Sequence, residues 1–266
     1  TVNKYVSNLI LDHVSASWGT DEVCSVTGAT NVTIQWCMIT EGVNLLGHSK
    51  GSLLEWPVLS LHHSIYAHND DRNPKSKGVF DFRNNVVYNW GFDPYIAGDS
   101  AGMSYANVVG NYYIAGASST TAAGIMITRG NSNYHMYLSD NRIDSNRNGV
   151  KDGVDLGTGL IDPARPLTVM SVPYQYPPVT TTAPEAAYTQ VLANAGCSVL
   201  ARGSIRDSID TRIVNDIINE TGWIITNYTD RGGLGTIAGG TAPTDTDQDG
   251  MPDSWEIANG LDKNNA

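Results

Sequence analysis

The decapeptide at 69–78, Asn-Asp-Asp-Arg-Asn-Pro-Lys-Ser-Lys-Gly, places Asp70, Asp71, Arg72, Lys75 and Lys77 between two runs rich in β-branched and aromatic residues, 58–67 and 79–90. Strand, charged loop, strand is the pattern of a site held on a rigid scaffold. A second stretch is chemically sharper. Residues 245–256, Asp-Thr-Asp-Gln-Asp-Gly-Met-Pro-Asp-Ser-Trp-Glu, follow the twelve-residue calcium loop. Asp245, Asp247 and Asp249 stand at positions 1, 3 and 5, and Gly250 makes the turn at 6. The Met251 carbonyl comes at 7, Asp253 at 9 and Glu256 at 12. Five carboxylates this close repel one another without a cation, so a structural Ca²⁺ is expected there. Residues 239–243, Gly-Gly-Thr-Ala-Pro, read as a linker rather than an incoming helix, which makes the loop a calcium-stapled cap or tether and not a switching sensor.

Weaker candidates lie upstream. Asp21 and Glu22 form an acidic pair at a strand start, where alternation lets Asp21 and Ser25 share a face while Glu22 points away. One carboxylate with one hydroxyl is an incomplete calcium site, since Ca²⁺ takes about 6–8 oxygens. Lys50 reads, by itself, as a solvated loop cation. His62, His63 and His68 could serve as bases, but adjacent histidines on a strand face opposite ways and suit packing or loop hydrogen bonding.

The elements that must position these groups are short strands. Segments NLILDHVSAS, NVTIQWCMIT, VLSLHHSIYAH, FDFRNNVVYN, NVVGNYYIAG and MYLSDNRID recur with alternating polarity. Taking Val14, Cys37, Ser64, Asn85, Asn111 and Asn141 as equivalent gives steps of 23, 27, 21, 26 and 30 residues. Variable repeats of this length without a helical period predict a solenoid of β-rungs, an all-β parallel β-helix, in preference to a propeller or sandwich. Asparagine at the last three equivalent positions predicts an inward ladder of stacked amides. The long face of such a solenoid, walled by loops at 69–78 and 91–102, suits an extended polysaccharide better than a small molecule.

The chain has 266 residues, 41% hydrophobic and 16% charged, enough for a sizeable core. No apolar run reaches the roughly 18–20 residues of a membrane span. A net charge of −11 and a pI near 4.8 count against nucleic acid as partner. Charge is uneven: residues 50–83 carry five bases against four acids, so an anionic ligand is acceptable there. Three cysteines, Cys24, Cys37 and Cys197, leave one unpaired and read as small buried hydrophobes. The first residues contain neither an initiating Met nor a signal-like core and already read as a strand. We therefore expect a piece of a longer, secreted product whose signal peptide and early rungs lie on a preceding segment.

In order along the chain, DHVSASWGTDE, NVTIQWCMITEG, HSKGSLL, SLHHSIYAHNDDRNPKSKG and DFRNNVVYNWG resemble the pectate lyases of polysaccharide lyase family 1. The specific resemblance covers residues 8–91 and continues more loosely through 161–225. It implies a right-handed parallel β-helix whose cleft binds polygalacturonate across calcium and cleaves it by β-elimination. The family pattern Arg-x-Pro-x-x-Arg falls on residues 72–77. Arg72 matches the general base, and Lys77 stands at the second basic position without the planar fork of arginine. Lys50 matches the lysine that contacts the substrate carboxylate; Arg83 and His63 complete the expected substrate-binding set. Asp21 matches a calcium ligand. Ser25 stands where members carry another acid, a loss for which Glu22 could compensate through a bulge. Further acidic ligands would precede residue 1, on an N-terminal fragment of the same precursor.

After Asp144 the β pattern fades. Prolines at 163, 166, 173, 177 and 178 predict an extended segment along the solenoid, within a 161–240 region that also carries two helices. The first starts at Pro184 and stops at Gly196; the second, with an Ile209, Ile213 and Ile217 stripe, runs from 208 to 221 and stops at Gly222. Both are expected to cover rungs 1–160, with 241–266 as the calcium-loop tail. The competing functions are a lyase-like polysaccharide-binding module without turnover and a purely structural β-helix. Hydrolysis is disfavoured because no carboxylate pair is placed for it.

Overall fold

A computed structural model describes residues 1, 5–55, 58–98, 102–120, 125–197, 206–235 and 241–266. Most strands are only two to six residues long, and the chain bends after each, so successive strands enter different sheets. Three sheets result. The first stacks Ser7–Asp12, Thr30–Gln35, Val58–His62, Val79–Arg83, Ser104–Val109, Tyr134–Ser139 and Thr168–Val169, all parallel. The second stacks Ser15–Ser17, Met38–Thr40, Ile65–Ala67, Val86–Tyr88, Tyr112–Ile114 and Arg142–Asp144, also parallel, and closes on an antiparallel strand, Val154–Asp155. The third, with the shortest strands, stacks Val26–Thr27, Leu53–Glu55, Lys75–Ser76, Tyr95–Ala97 and Ile127–Arg129. The fold is the parallel β-helix that the repeat predicted.

The corner between first and second sheets sets the repeat. The predicted column appears in register: Cys37 N–H donates to Ser64 Oγ (3.0 Å), Ser64 N–H to Asn85 Oδ1 (2.9 Å), Asn85 N–H to Asn111 Oδ1 (2.9 Å) and Asn111 N–H to Asn141 Oδ1 (3.2 Å). Asn111 Nδ2 also donates to Asn141 Oδ1, and Asn85 Nδ2 to Asn111 Oδ1. The residue before each column member is left-handed: His13, Trp36, His63, Asn84, Gly110 and Asp140 all have φ between 51° and 66°. That conformation is costly for most L-residues, and it persists because each corner is held by the one stacked on it.

Alternation decides what each strand buries. In Ile65–Ala67, Tyr66 points inward among Leu61, Phe82 and Trp90, while Ile65 and Ala67 point outward. The outward face of the second sheet is covered by α1 (Pro184–Asn194) and α2 (Ser208–Asn219), through Val191, Leu192, Ile213, Val214 and Ile217. Asp207 caps α2, accepting from the N–H groups of Ile209 and Asp210, and Glu220 ends it in the left-handed region. Glu41, fully buried, takes a bidentate ion pair from Arg212 of α2, which fixes the helix to the solenoid electrostatically as well as by packing.

The proline-rich segment, expected to be extended along the solenoid, is tied to Asn107 at Tyr174 and to Asn84 at Thr182. It differs in one respect: Thr168–Val169 does join the first sheet, pairing with His135 and Met136. Two residues free of proline suffice for that short ladder. Cys197 is exposed, unlike buried Cys37, because it lies past α1 where only backbone is tied down. By contacts the chain divides into Thr1–Gly235 and a small second unit, Thr236–Ala266, in which α3 (Asp253–Asn259) follows the acidic loop. Residues 239 and 240 of the expected linker, and 99–101 of the expected groove wall, lie outside the described residues.

Candidate functional site

The corner from the second to the third sheet is the long, charged one. The chain leaves Ala67, turns at His68 (φ 59°) and Arg72 (φ 58°), passes a cis Asn73–Pro74 peptide and enters the third sheet at Lys75. Asn69, fully buried, organises this corner: its Oδ1 accepts from Gly42 N–H (2.8 Å), and its Nδ2 donates to Ile39 O and to Asn73 Oδ1 (both 3.0 Å). Gly51 must be glycine, since a Cβ there would sit 2.5 Å from the Arg72 carbonyl oxygen.

On this frame Glu22, Lys50 and Asp71 occupy matching positions on successive turns, joined by single parallel bridges. Lys50 is only 7% exposed; its Nζ lies 2.9 Å from Asp71 Oδ2 and 3.6 Å from Asp70 Oδ2. The Arg72 guanidinium pairs with the Glu22 carboxylate and lies 3.7 Å from Asp71 Oδ1, a buried oxygen with no hydrogen-bond donor. Burial pushes the Asp70 and Asp71 carboxyls above their usual range against the pull of Lys50, and lowers Arg72. Asp21 sits beside this group, its Oδ1 2.7 Å from His48 Nδ1. Lys77 pairs with Glu55 on the adjacent strand of the third sheet.

In the second unit, ligand oxygens of Asp245, Asp247 and Asp249 lie within 4.8 Å of one another. Gly250 (φ 94°) makes the turn, its N–H donating to Asp245 Oδ2 (3.0 Å), and Met251 N–H donates to Asp249 Oδ1 (2.7 Å). Asp253 accepts from Thr246 N–H (2.7 Å) and from Lys263 (3.2 Å). Glu256 is 1% exposed, with an Oε2 that finds no donor, and burial followed by the four aspartates raises its pKa.

No protein-family model matches the chain. It is 43% identical over 264 residues to a probable pectate lyase C of Aspergillus fumigatus, covering 97% of the chain and 60% of that protein. Probable pectate lyases C of Aspergillus terreus (41% over 266 residues, 98% and 61%) and Emericella nidulans (40% over 264 residues, 97% and 59%) are similar. Nearly the whole chain is thus similar to proteins named probable pectate lyase C. It spans about 60% of the length of these relatives.

In this chain, Glu22, Lys50 and Arg72 meet at one corner, with Asp21 beside them. Asp70 and Asp71 belong to the same cluster, although sequence reasoning named them only as loop charges. Their place directly before Arg72, on the rung above Lys50, was the available signal. Arg83 and His63 are elsewhere, at the corner between first and second sheets. Arg83 is paired with Asp81 (2.7 and 2.8 Å). His63 is a left-handed corner residue stacked on Trp36, centroids 4.5 Å apart, with its Nδ1 3.0 Å from that of His62. Proximity in sequence misleads in a three-cornered solenoid, where a short strand carries the chain to a different edge.

His63 makes a pH prediction instead. Burial, then the neighbouring His62, lowers its pKa from 6.5 to about 4, and His62 is lowered too. The folded state therefore favours the neutral ring, so this contribution is complete above pH 6.5 and is lost as pH falls from there toward about 4. Melting temperature should drop over that window. His63→Asn, which tolerates the left-handed corner, should flatten the drop; an unchanged profile would place the acid sensitivity in other groups.

Proposed function

We propose that this chain is a calcium-dependent pectate lyase that cleaves polygalacturonate by β-elimination. The observation that carries the reading is the cluster of Glu22, Lys50, Asp70, Asp71 and Arg72 at the corner between the second and third sheets, in a chain this similar to probable pectate lyases. The donor types suit a hard cation: four carboxylates, Asp21, Glu22, Asp70 and Asp71, lie at this corner, engaged by His48, Arg72 and Lys50, and Asp71 Oδ1 is buried without a donor. Held there, Ca²⁺ would supply the positive charge that neutralises a substrate carboxylate and so acidifies the neighbouring C–H bond.

The chain's own residues do the rest. Lys50 and Lys77 hold the uronate carboxylate and oppose the negative charge that develops as C5 loses its proton. Arg72, freed from Glu22, takes that proton; the C5–H electron pair becomes the C4–C5 double bond, and the C4–O bond breaks toward the leaving oxygen. A guanidinium keeps its proton at ordinary pH, so burial, which lowers Arg72, and an alkaline medium both favour the step. The second unit would hold a separate, structural Ca²⁺ through Asp245, Asp247, Asp249, the Met251 carbonyl, Asp253 and Glu256. Among the described residues no helix is long and apolar enough to cross a membrane, and a polymeric wall substrate places the proposed action outside the cell.

Incubation with polygalacturonate and Ca²⁺ at alkaline pH should release unsaturated product, read by ultraviolet absorbance and abolished by chelation. Hydrolytic ends without absorbance would overturn the reading. A pectin-binding module without turnover is favoured by one observation, the Arg72–Glu22 pair, and would give polymer retention without product.

Gly91 offers a finer test. A Cβ there would sit 2.0 Å from Asp70 Oδ1, so Gly91→Ala must displace that carboxylate. The calcium concentration for half-maximal rate should rise about tenfold, as for loss of a group that orients a ligand. An unchanged calcium requirement would remove Asp70 from the ion's ligands.

A further inference from the structure

The second sheet ends in a hairpin: Arg142–Asp144 continues the parallel stack, and Val154–Asp155 returns antiparallel. The connection, Asp144-Ser-Asn-Arg-Asn-Gly-Val-Lys-Asp152, spaces its oxygens as the loop at 245–253 does. Asp144, Asn146 and Asn148 stand at positions 1, 3 and 5, Gly149 at 6, Val150 at 7 and Asp152 at 9. The backbones correspond as well. Position 4 is left-handed in both, Arg147 at φ 53° and Gln248 at φ 63°, and so is the glycine, at 80° and 94°. The position 7 N–H donates to the position 5 side chain at 2.7 Å in each loop. The position 5 N–H donates to the position 3 side chain at 3.1 and 3.4 Å.

Matching turns alone do not call for a ligand; Asp144 does. It is 2% exposed, and neither of its carboxylate oxygens has a hydrogen-bond donor. The carboxylate is turned onto the loop, toward the main chain of Asp152, whose N–H is already committed to Val150 O at 2.9 Å. The cation that acts on it, Lys151, is engaged by Glu220 Oε1 at 2.7 Å. Burial, then the charges of Glu220 and Asp152, raises the Asp144 pKa. A buried, unpartnered carboxylate of this kind is destabilising unless it is neutralised.

We propose that residues 144–152 form a calcium site, with oxygens from Asp144, Asn146, Asn148, the Val150 carbonyl and Asp152, that locks the hairpin ending the second sheet. Three of the side chains already converge, since Asn146 and Asn148 donate to the two oxygens of Asp152 at 2.9 and 3.2 Å. Each amide oxygen accepts one main-chain N–H and keeps a second lone pair, which a small rotation turns toward the ion. Asp155, at position 12, stays outside, accepting from Gly157 N–H at 2.7 Å, so water completes the 6–8 ligands that calcium takes. The ion neutralises Asp144 and holds the strand that covers the last edge of the sheet, an edge that would otherwise template association.

The site is independent of the lyase reading, and its test uses the whole chain with Ca²⁺ alone. Native mass spectrometry counts bound calcium for the unaltered chain, Asp144→Asn, Asp152→Asn and Asp249→Asn. Asp144→Asn and Asp152→Asn should each bind one calcium fewer and lose part of the calcium-induced rise in melting temperature. Combining Asp152→Asn with Asp249→Asn should remove two. Should circular dichroism show that Asp144→Asn does not fold, Asp152→Asn decides alone, because its carboxylate is exposed. A full complement of calcium in Asp152→Asn overturns the proposal.

Discussion

Arg72→Ala should lower the rate of unsaturated product release by about 10²- to 10⁴-fold, the range expected for loss of a general base. Binding of polygalacturonate and calcium should change little. The distinction rests on which groups remain. Lys50 keeps its contacts to Asp71 and Asp70, and the four carboxylates are untouched, so the anion and cation subsites survive. Only the group proposed to take the C5 proton is gone. Arg72→Lys separates base from charge: it restores a cation without the planar fork, and an amine titrates lower than a guanidinium. Its activity should therefore be partial and its pH profile displaced to lower pH. Glu22→Gln gives the complementary result, since it removes the ion pair that holds Arg72 away from substrate while costing one calcium ligand. It should raise the calcium requirement more than it lowers the limiting rate. Affinity electrophoresis in polygalacturonate gels reports binding, and initial absorbance slopes report turnover. Arg72→Ala with full turnover would move the base to another residue.

What the sequence made legible follows from which features repeat. The column from Cys37 to Asn141 could be aligned because each turn must place one small or amide side chain at the same corner, whatever the length of its loops. The third sheet was not legible, since strands such as Val26–Thr27 and Lys75–Ser76 are too short to show alternation. That gap explains the misplaced Arg83 and His63: with only two strand types visible per repeat, the number of corners is hidden. Glu22 pairs with Arg72. Only stacking of whole turns could reveal that partner, 50 residues away in the chain. The loop at 144–152 went unread because amides replace two of its acids, so it lacks the charge density that marks residues 245–256.

Asn111→Ala should cost about 3 kcal/mol or more of folding stability, the largest loss expected from a side chain that touches no ligand. Asn111 is fully buried and its side chain makes four hydrogen bonds: its Oδ1 accepts from Asn85 N–H and Nδ2 (2.9 and 3.0 Å), and its Nδ2 donates to Phe82 O (3.0 Å) and to Asn141 Oδ1 (2.9 Å). Alanine removes all four and strands Asn85 N–H and Nδ2 and Phe82 O on that side. Each unsatisfied buried group costs about 1–3 kcal/mol, and relaxation recovers part of the total. Ser64→Ala supplies the comparison, because Ser64 Oγ accepts one N–H, from Cys37, and donates to His62 O, so its loss should be smaller. Urea unfolding decides the matter: the Asn111→Ala midpoint should fall with little change of slope, and a loss under about 1 kcal/mol would mean that water replaces the amide. The effect should extend beyond the local corner. Lys50 and Asp71 meet only because the turns stack in one register, and the ladder is the buried, directional part of that register. A chain that slips at Asn111 therefore loosens the rungs on which the charged corner is built.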